Sequence, residues 1–128
     1  MLHYGWSRRK IERGVRMAFR IERIEKTIER ELSVIFFLET RDERLKNVTV
    51  TKVKLTNDGS LATISFTTRK EVLDEKVAQL ALEAAKGFLK TELSKRLDIR
   101  KIPDLRFRVD DSLDYGNKIE SILTDLKK

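Results

Sequence analysis

The residues of this chain best suited to chemistry are lysines and arginines, and the chemistry they suit is phosphate binding. Residues 86–108 hold eight Lys and Arg against three acidic residues, and residues 1–30 hold nine against four, so each stretch carries +5. The whole chain carries +7. Segregated positive charge indicates a polyanionic partner, either a nucleic acid or an anionic membrane surface. A thermophilic source could also produce a charged fraction of 38%, so charge alone does not establish a polyanionic partner.

Most candidate phosphate-binding residues fall at the end of a predicted helix and along the strand after it. Each also has a structural interpretation, because such cations balance a helix dipole or keep a sheet surface soluble. For the two lysines on an earlier strand, RNA contact and plain solubility are equally good interpretations. The predicted set is Lys86, Gly87, Lys90, Lys95, Arg96, Arg100, Lys101, Arg106, Arg108, Lys52, Lys54, Arg8, Arg9 and Lys10.

The first residues predict a basic N-terminal arm, residues 1–16, ahead of one domain, residues 17–128. Tyr4 and Trp6 stand close to Arg8 and Arg9, and aromatic stacking combined with phosphate contact is one way to bind RNA. A disordered basic tail is the alternative for the unbound protein.

Catalytic chemistry has little support in the sequence. Asp42 and Glu43 are neighbours in a charged loop and lack the geometry of an acid–base pair; the arginines on either side suit local ion pairs as well as RNA. His3 is the single histidine, and there is no cysteine. We therefore expect no enzyme activity, no metal and no cofactor.

The sequence also predicts where the protein works. The first 20 residues lack the apolar centre of a signal peptide, and the longest apolar run, 34–38, is far shorter than the roughly 20 residues of a membrane span. The absence of cysteine fits a reducing compartment. We expect a cytoplasmic monomer without a membrane partner.

Periodicity places these residues on an α+β framework. Apolar residues at spacings of three and four predict helices over 17–39 and 72–97, the second interrupted at Gly87. Strands are predicted over 47–55 and 61–68, joined by a turn at 57–59, with a bulge near Thr51 and Lys52 where the alternation slips. Pro103 opens a third strand, and a last helix begins near Ser112. The order implies a three-stranded sheet with helices on one face, plus a C-terminal helix.

Several short segments, in order along the chain, resemble the ribosome-binding factor A family. Each is weak alone, but they occur in order, and the resemblance extends from about residue 21 to residue 126. They are Arg-Glu-Leu-Ser at 30–33, Arg-Asp-Glu-Arg-Leu at 41–45, Val-Thr-Val-Thr-Lys-Val-Lys-Leu at 48–55, Ala-Ala-Lys-Gly-Phe-Leu at 84–89, Arg-Leu-Asp-Ile-Arg at 96–100, Ile-Pro-Asp-Leu-Arg-Phe at 102–107 and Asp-Asp-Ser at 110–112.

The resemblance implies a KH-like domain of the type II order, in which an Ala-x-Gly kink replaces the usual Gly-x-x-Gly loop. Ala85 and Gly87 stand where that kink belongs, and the five glycines are never three residues apart. A kink could expose backbone N–H groups to a phosphate. Alternatively, Gly87 could merely allow close packing of a helix on a strand.

The resemblance also implies a function. Members of this family bind the free small (30S) ribosomal subunit through 16S rRNA. They assist its late maturation, including processing of the 16S 5′ end, without catalysis. Two alternatives stay open: a general KH-like RNA- or DNA-binding protein, and a nuclease that trims precursor RNA itself.

Overall fold

A computed structural model of the chain describes the backbone of residues 8–111 and the side chains of residue 12 and residues 14–111. The predicted C-terminal helix from residue 112, and Tyr4 and Trp6 of the predicted arm, lie outside the described residues. In order, the elements are α1 (Arg8–Val34), a π-helical turn (Ile35–Glu39), a 3-10 turn (Leu45–Asn47), β1 (Val48–Leu55), β2 (Leu61–Thr68), α2 (Glu75–Ala84), α3 (Lys86–Arg96) and β3 (Asp104–Val109).

Helix α1 begins at Arg8, so the predicted start at residue 17 was wrong and the helix crosses the predicted boundary between arm and domain. Gly14 lies inside the helix, but a glycine there costs only about 1 kcal/mol, and most residues around it are good helix formers. Residues 14–20 are all exposed, whereas Ile28 and Leu32 are fully buried. The first half of α1 therefore has few packing contacts, and the second half anchors the helix to the sheet.

The sheet has the order β1-β2-β3. β1 and β2 form an antiparallel hairpin, whose turn contains Gly59 at a φ of 73°. β2 and β3 are parallel, and the α2–α3 helix pair supplies the crossover that a parallel connection requires. The register of the hairpin shifts between Val50 and Lys52, which confirms the predicted bulge.

The helices within residues 8–111 pack on one face of the sheet, as predicted. In β2, Ala62, Ile64 and Phe66 are fully buried, while the residues between them are half-buried. In β3, Leu105 and Phe107 are buried and the alternate residues are exposed. Because strand side chains alternate between faces, one face of the sheet forms the core and the other meets solvent.

Helix α2 begins at Glu75, later than the predicted 72. The reason is Asp74, whose side chain accepts a hydrogen bond of 2.7 Å from the backbone N–H of Lys76 and so caps the helix. α2 then ends at Ala84, and α3 starts two residues later.

The hairpin turn contains a carboxylate with an unusual acidity. Asp58 accepts hydrogen bonds from the Thr56 hydroxyl (2.7 Å), the Ser60 backbone N–H (3.0 Å) and the Ser60 hydroxyl (2.8 Å). These bonds, first that of Thr56, lower the pKa of Asp58 from 3.8 to about 2. The ionised form therefore stabilises the folded turn.

We expect the substitution Asp58→Asn to remove a pH-dependent part of the stability. A carboxylate with a lowered folded pKa contributes stability that is fully present above its unfolded pKa and is lost as the pH falls toward the folded pKa. The wild-type protein should therefore be more stable than the variant at pH 5, and the difference should shrink between about pH 4 and pH 2. Urea unfolding across this range measures it, and two parallel stability curves would contradict the expectation.

Candidate phosphate-binding surface

Four predicted cations lie together on the solvent-facing side of the sheet. The strand register pairs Lys54 with Thr63 and Thr63 with Arg106. Two residues away along the strands, it pairs Lys52 with Ser65 and Ser65 with Arg108. Each row thus consists of a lysine, a small hydroxyl residue and an arginine. With strands about 4.8 Å apart, the two cations of a row stand roughly 10 Å apart at their Cα atoms. We name Lys52, Lys54, Arg106 and Arg108 the cationic sheet face.

These four side chains are exposed, and none has an ion-pair partner among residues 8–111. The half-buried hydroxyls of Thr63 and Ser65 lie between them. Phosphate oxygens are recognised by Lys, Arg and hydroxyl groups of this kind, without regard to base sequence. The sheet therefore presents cations that pair with no carboxylate of the described residues.

A carboxylate marks one end of this face. The Thr51 hydroxyl, at the bulge, donates to Asp110 Oδ2 at 2.6 Å and lies 3.2 Å from the backbone oxygen of Ser65. This contact ties the bulge of β1 to the end of β3, across β2. The cationic sheet face is thus bounded by negative charge on one side.

Three further predicted lysines surround Asp104 at the opposite end of β3. Lys90 Nζ lies 2.7 Å from Asp104 Oδ1, and this hydrogen bond is the main reason why the pKa of Asp104 is lowered. Attraction by the charges of Lys101 and Lys86 lowers that pKa further. Lys86, Lys90 and Lys101, which we name the lysine cluster, come from α3 and from the segment after it.

The lysine cluster and the cationic sheet face form one surface. Asp104 and Arg106 are two residues apart on the exposed side of β3, so the two groups meet along that strand. Lys86 also lies 2.6 Å from Glu83. Both carboxylates and both lysines are at least 40% exposed, and such pairs contribute little to stability, so a phosphate can compete for the lysines.

The kink lies at Ala85, where α2 ends and α3 begins. Ala85 has φ −90° and ψ 0°, and its N–H still bonds to Ala81 in α2, while its carbonyl accepts from Leu89 in α3. Gly87 belongs to the first turn of α3, and a Cβ added there would meet no atom of the described residues within 4 Å, apart from its own helix backbone and chain neighbours. Close helix–strand packing is therefore not the reason for the glycine.

Two predicted site residues lie elsewhere. Arg96 is 24% exposed and pairs with Glu31 at 3.2 Å and with Glu39 at 3.3 Å, so it ties α3 to α1 and to the π-helical turn after α1. The hydrogen bond to Glu31 is the main cause of its raised pKa. Lys95 pairs with Glu92 in its own helix. Neither belongs to the lysine cluster or to the cationic sheet face.

The remaining predicted residues lie after α3 and at the start of α1. Arg100 is exposed in the segment after α3 and lines a cleft described below. Arg8, Arg9 and Lys10 form the first turn of α1, and their side chains lie outside the described part of the chain.

The charged loop after α1 is held by local ion pairs. Asp42 accepts from both the side chain and the backbone N–H of Arg44, with 2.9 Å between Arg44 Nη2 and Asp42 Oδ2, and the side-chain hydrogen bond lowers the pKa of Asp42. Lys46 pairs with Glu43 at 3.2 Å. The local interpretation of this loop is thus confirmed for Arg44.

Residues 8–111 contain neither a metal-binding cluster nor a membrane-spanning helix. No three His, Cys, Asp or Glu side chains in that range are grouped to hold a metal ion. Nor does any helix in it combine the length and the apolar character that crossing a bilayer requires.

The fold and the charged surface define a basic α+β domain with the element order α-β-β-α-α-β, which is the order that the resemblance implied. The family pattern described as "Ribosome-binding factor A" matches residues 20–123. The chain belongs to the ribosome-binding factor A family.

Individual relatives agree with this assignment. Ribosome-binding factor A of Streptococcus mutans is 44% identical over 110 residues, covering 85% of this chain and 95% of the relative. The crystal structure of ribosome-binding factor A from Thermus thermophilus matches with a TM-score of 0.63 and 28% identity, over 70% of this chain and 93% of that one. A homology model of the Thermus thermophilus protein, fitted into the cryo-EM map of a 30S–RbfA complex, matches with a TM-score of 0.58 and 28% identity over the same shares.

Proposed function

We propose that this protein binds the small ribosomal subunit during its assembly, through phosphates of 16S rRNA, and acts there in the cytoplasm without catalysis. The observation that carries the proposal is the cationic sheet face, whose four exposed cations have no ion-pair partner among the described residues. Its relative from Thermus thermophilus has been fitted into the map of a 30S complex, which supports this choice of partner. Lys86, Lys90 and Lys101 extend the contact along β3.

Sedimentation through sucrose gradients tests the proposal. The purified protein, mixed with free small subunits, large subunits and assembled ribosomes, should sediment with the free small subunits at low salt. Because phosphate contacts release counterions, raising the salt from about 50 to 200 mM should release it steeply. Absence from the small-subunit fraction at low salt would defeat the proposal.

The finer part of the proposal concerns late maturation and the 16S 5′ end. Cells depleted of the protein should accumulate 16S precursor with an unprocessed 5′ end, and the wild-type protein should restore processing. The purified protein, supplied with precursor rRNA and Mg²⁺, should leave the 5′ end intact. Trimming by the purified protein alone would make it a nuclease.

One observation favours a second candidate, a general KH-like RNA- or DNA-binding protein. The surface presents cations and hydroxyls, and these groups read phosphates but carry no base information. Competition experiments separate the two candidates. Unrelated single-stranded RNA that displaces the protein from small subunits at equal nucleotide concentration would favour the general binder.

We expect the double substitution Lys86→Gln and Lys90→Gln to weaken binding to the small subunit about tenfold near physiological salt. The slope of log affinity against log salt should fall by about two, because two phosphate contacts are lost. Glutamine removes the charges without placing a new carboxylate beside Glu83 or Asp104. The thermal midpoint should change little, since both ion pairs are exposed.

The matched control is Lys26→Gln with Lys46→Gln. These lysines also take part in exposed ion pairs, with Glu22 and Glu43, but they lie outside the lysine cluster. The control loses the same charge and the same kind of contact. If both double variants lose affinity equally, only net charge matters and the lysine cluster has no special part in binding.

A further inference from the structure

A cleft of about 480 Å³ opens between the first half of α1, the β1–β2 turn and the segment after α3. Its floor is apolar and is made by Ile21, Ile24, Leu55 and Ile99. Leu55 is buried, and the three isoleucines are half-buried against the core. We name it the hairpin cleft.

The rim of the hairpin cleft is cationic. Arg20, Arg100 and Lys101 are exposed there, and none has an ion-pair partner among the described residues. Among the described residues, Asp58 is the one carboxylate that lines the cleft, and its oxygen is already bonded to Thr56 and Ser60 within the turn. The charges at the rim are therefore complementary to an anion from outside.

The cleft is also continuous with the surface that we propose binds the rRNA. Lys101 belongs both to its rim and to the lysine cluster around Asp104. The backbone N–H of Asp104 donates to the Ser60 carbonyl at 2.9 Å, so the wall of the cleft and the start of β3 are directly joined. A polynucleotide that follows the lysine cluster therefore reaches the cleft without leaving the protein surface.

We propose that the hairpin cleft holds one unpaired nucleotide of the bound RNA, a proposal that rests on the RNA binding proposed above. The base packs against the isoleucine floor and is shielded from solvent there. Its phosphate lies at the rim, bound by Arg20 and Arg100, whose planar guanidinium groups also stack on bases. Asn57, exposed in the turn and lining the cleft, offers an amide to the edge of the base.

An apolar floor beside cations suits a single nucleotide better than a duplex. In a paired A-form helix the bases are stacked inside, so the protein meets phosphates and 2′-hydroxyls, whereas an unpaired base can be splayed out and buried. The cationic sheet face has no comparable apolar recess, because its buried residues point to the opposite side. The two parts of the surface therefore bind different features of the RNA.

The test uses two RNA hairpins that differ only by one bulged adenosine in the stem. The full-length protein carries ¹³C-labelled isoleucine methyl groups. We expect the methyl signals of Ile21, Ile24 and Ile99 to shift with the bulged hairpin and not with the fully paired one. Those of Ile35 and Ile64, which are fully buried in the core, should stay in place with both.

Variants extend the test to affinity. The double substitution Arg20→Gln and Arg100→Gln should weaken binding of the bulged hairpin about tenfold and that of the paired hairpin much less. The control Arg23→Gln with Arg69→Gln removes the same charges from positions that do not line the cleft. This control should change the affinity for the bulged hairpin and for the paired hairpin by the same factor.

The outcomes separate this inference from the proposed function. Equal binding of both hairpins, with unmoved isoleucine signals, overturns the nucleotide site and leaves phosphate binding in place. Contacts from the floor methyls to residues 1–7 or 112–128 in the free protein, persisting with RNA, also overturn it, because the chain then fills its own cleft. Failure of both hairpins to bind overturns it too, while sedimentation with small subunits decides separately on the proposed function.

Discussion

Reversing the charge of one row of the sheet face, by Lys54→Glu with Arg106→Glu, is expected to weaken binding to the small subunit about 100-fold near physiological salt. Two phosphate contacts are lost, and two carboxylates then repel the RNA on either side of Thr63. Both side chains are exposed and outside the core, so the fold should be unchanged. Equilibrium binding to purified small subunits across a salt series measures the effect.

The control for this variant is Lys26→Glu with Lys76→Glu, which changes the net charge by the same amount. Both lysines are exposed on helices, and the helices pack on the opposite face of the sheet. This control should lose only the small affinity that long-range attraction supplies. Equal losses in the two double variants would mean that the cationic sheet face is not the contact surface.

The second large effect is expected in the core. Phe66 is fully buried in the central strand, between Val50 of β1 and Val109 of β3. Phe66→Ala should lower the free energy of unfolding by about 3–5 kcal/mol, because apolar burial is lost and a cavity remains. Since small domains are stable by only about 5–15 kcal/mol, urea unfolding should show a much lower midpoint with an unchanged slope.

Thr67→Ala is the matched control, because Thr67 is the next residue of the same strand and points to the other face. It should cost less than about 1 kcal/mol. A loss of similar size in both variants would show that the strand itself, and not the buried ring, determines the stability.

Local patterns predicted most of the fold because strands and helices bury residues at a fixed period. Ala62, Ile64 and Phe66 alternate with hydroxyl residues in the sequence, as a strand with one buried face requires, and all three are fully buried. The parity slip in β1 predicted the bulge, since a sheet with one buried face cannot hold both parities without an extra residue. The start of α1 was missed because a single glycine weakens a helix without ending it.

The assembly of the surface could not be predicted from local patterns. Lys90 and Asp104 are 14 residues apart, and only the crossover of α3 onto β3 brings them to 2.7 Å. Arg96 looked like its basic neighbours, but its partner Glu31 is 65 residues away. Charge type and spacing identify candidates, whereas the partner that neutralises a cation depends on tertiary structure.

The hairpin cleft was missed for the same reason. Of its cationic rim, Arg100 and Lys101 were predicted to bind RNA, but nothing in the sequence joined them to Arg20 of α1. In the sequence, the only signal for such a cleft is that isoleucines stand next to arginines, as in Arg20-Ile21 and Ile99-Arg100. The cleft itself forms only because the β1–β2 turn lies against α1, which is a tertiary contact.

The bulge at Thr51 has a consequence for how the length of this chain can change. In β2 or β3, loss of one residue would turn the following side chains to the wrong face, placing arginines in the core and Phe107 in water. Loss of Thr51 would instead leave Val50, Lys52 and Val53 in regular alternation. β1 is therefore the strand of this sheet in which a deletion is compatible with the fold, at the cost of the link to Asp110.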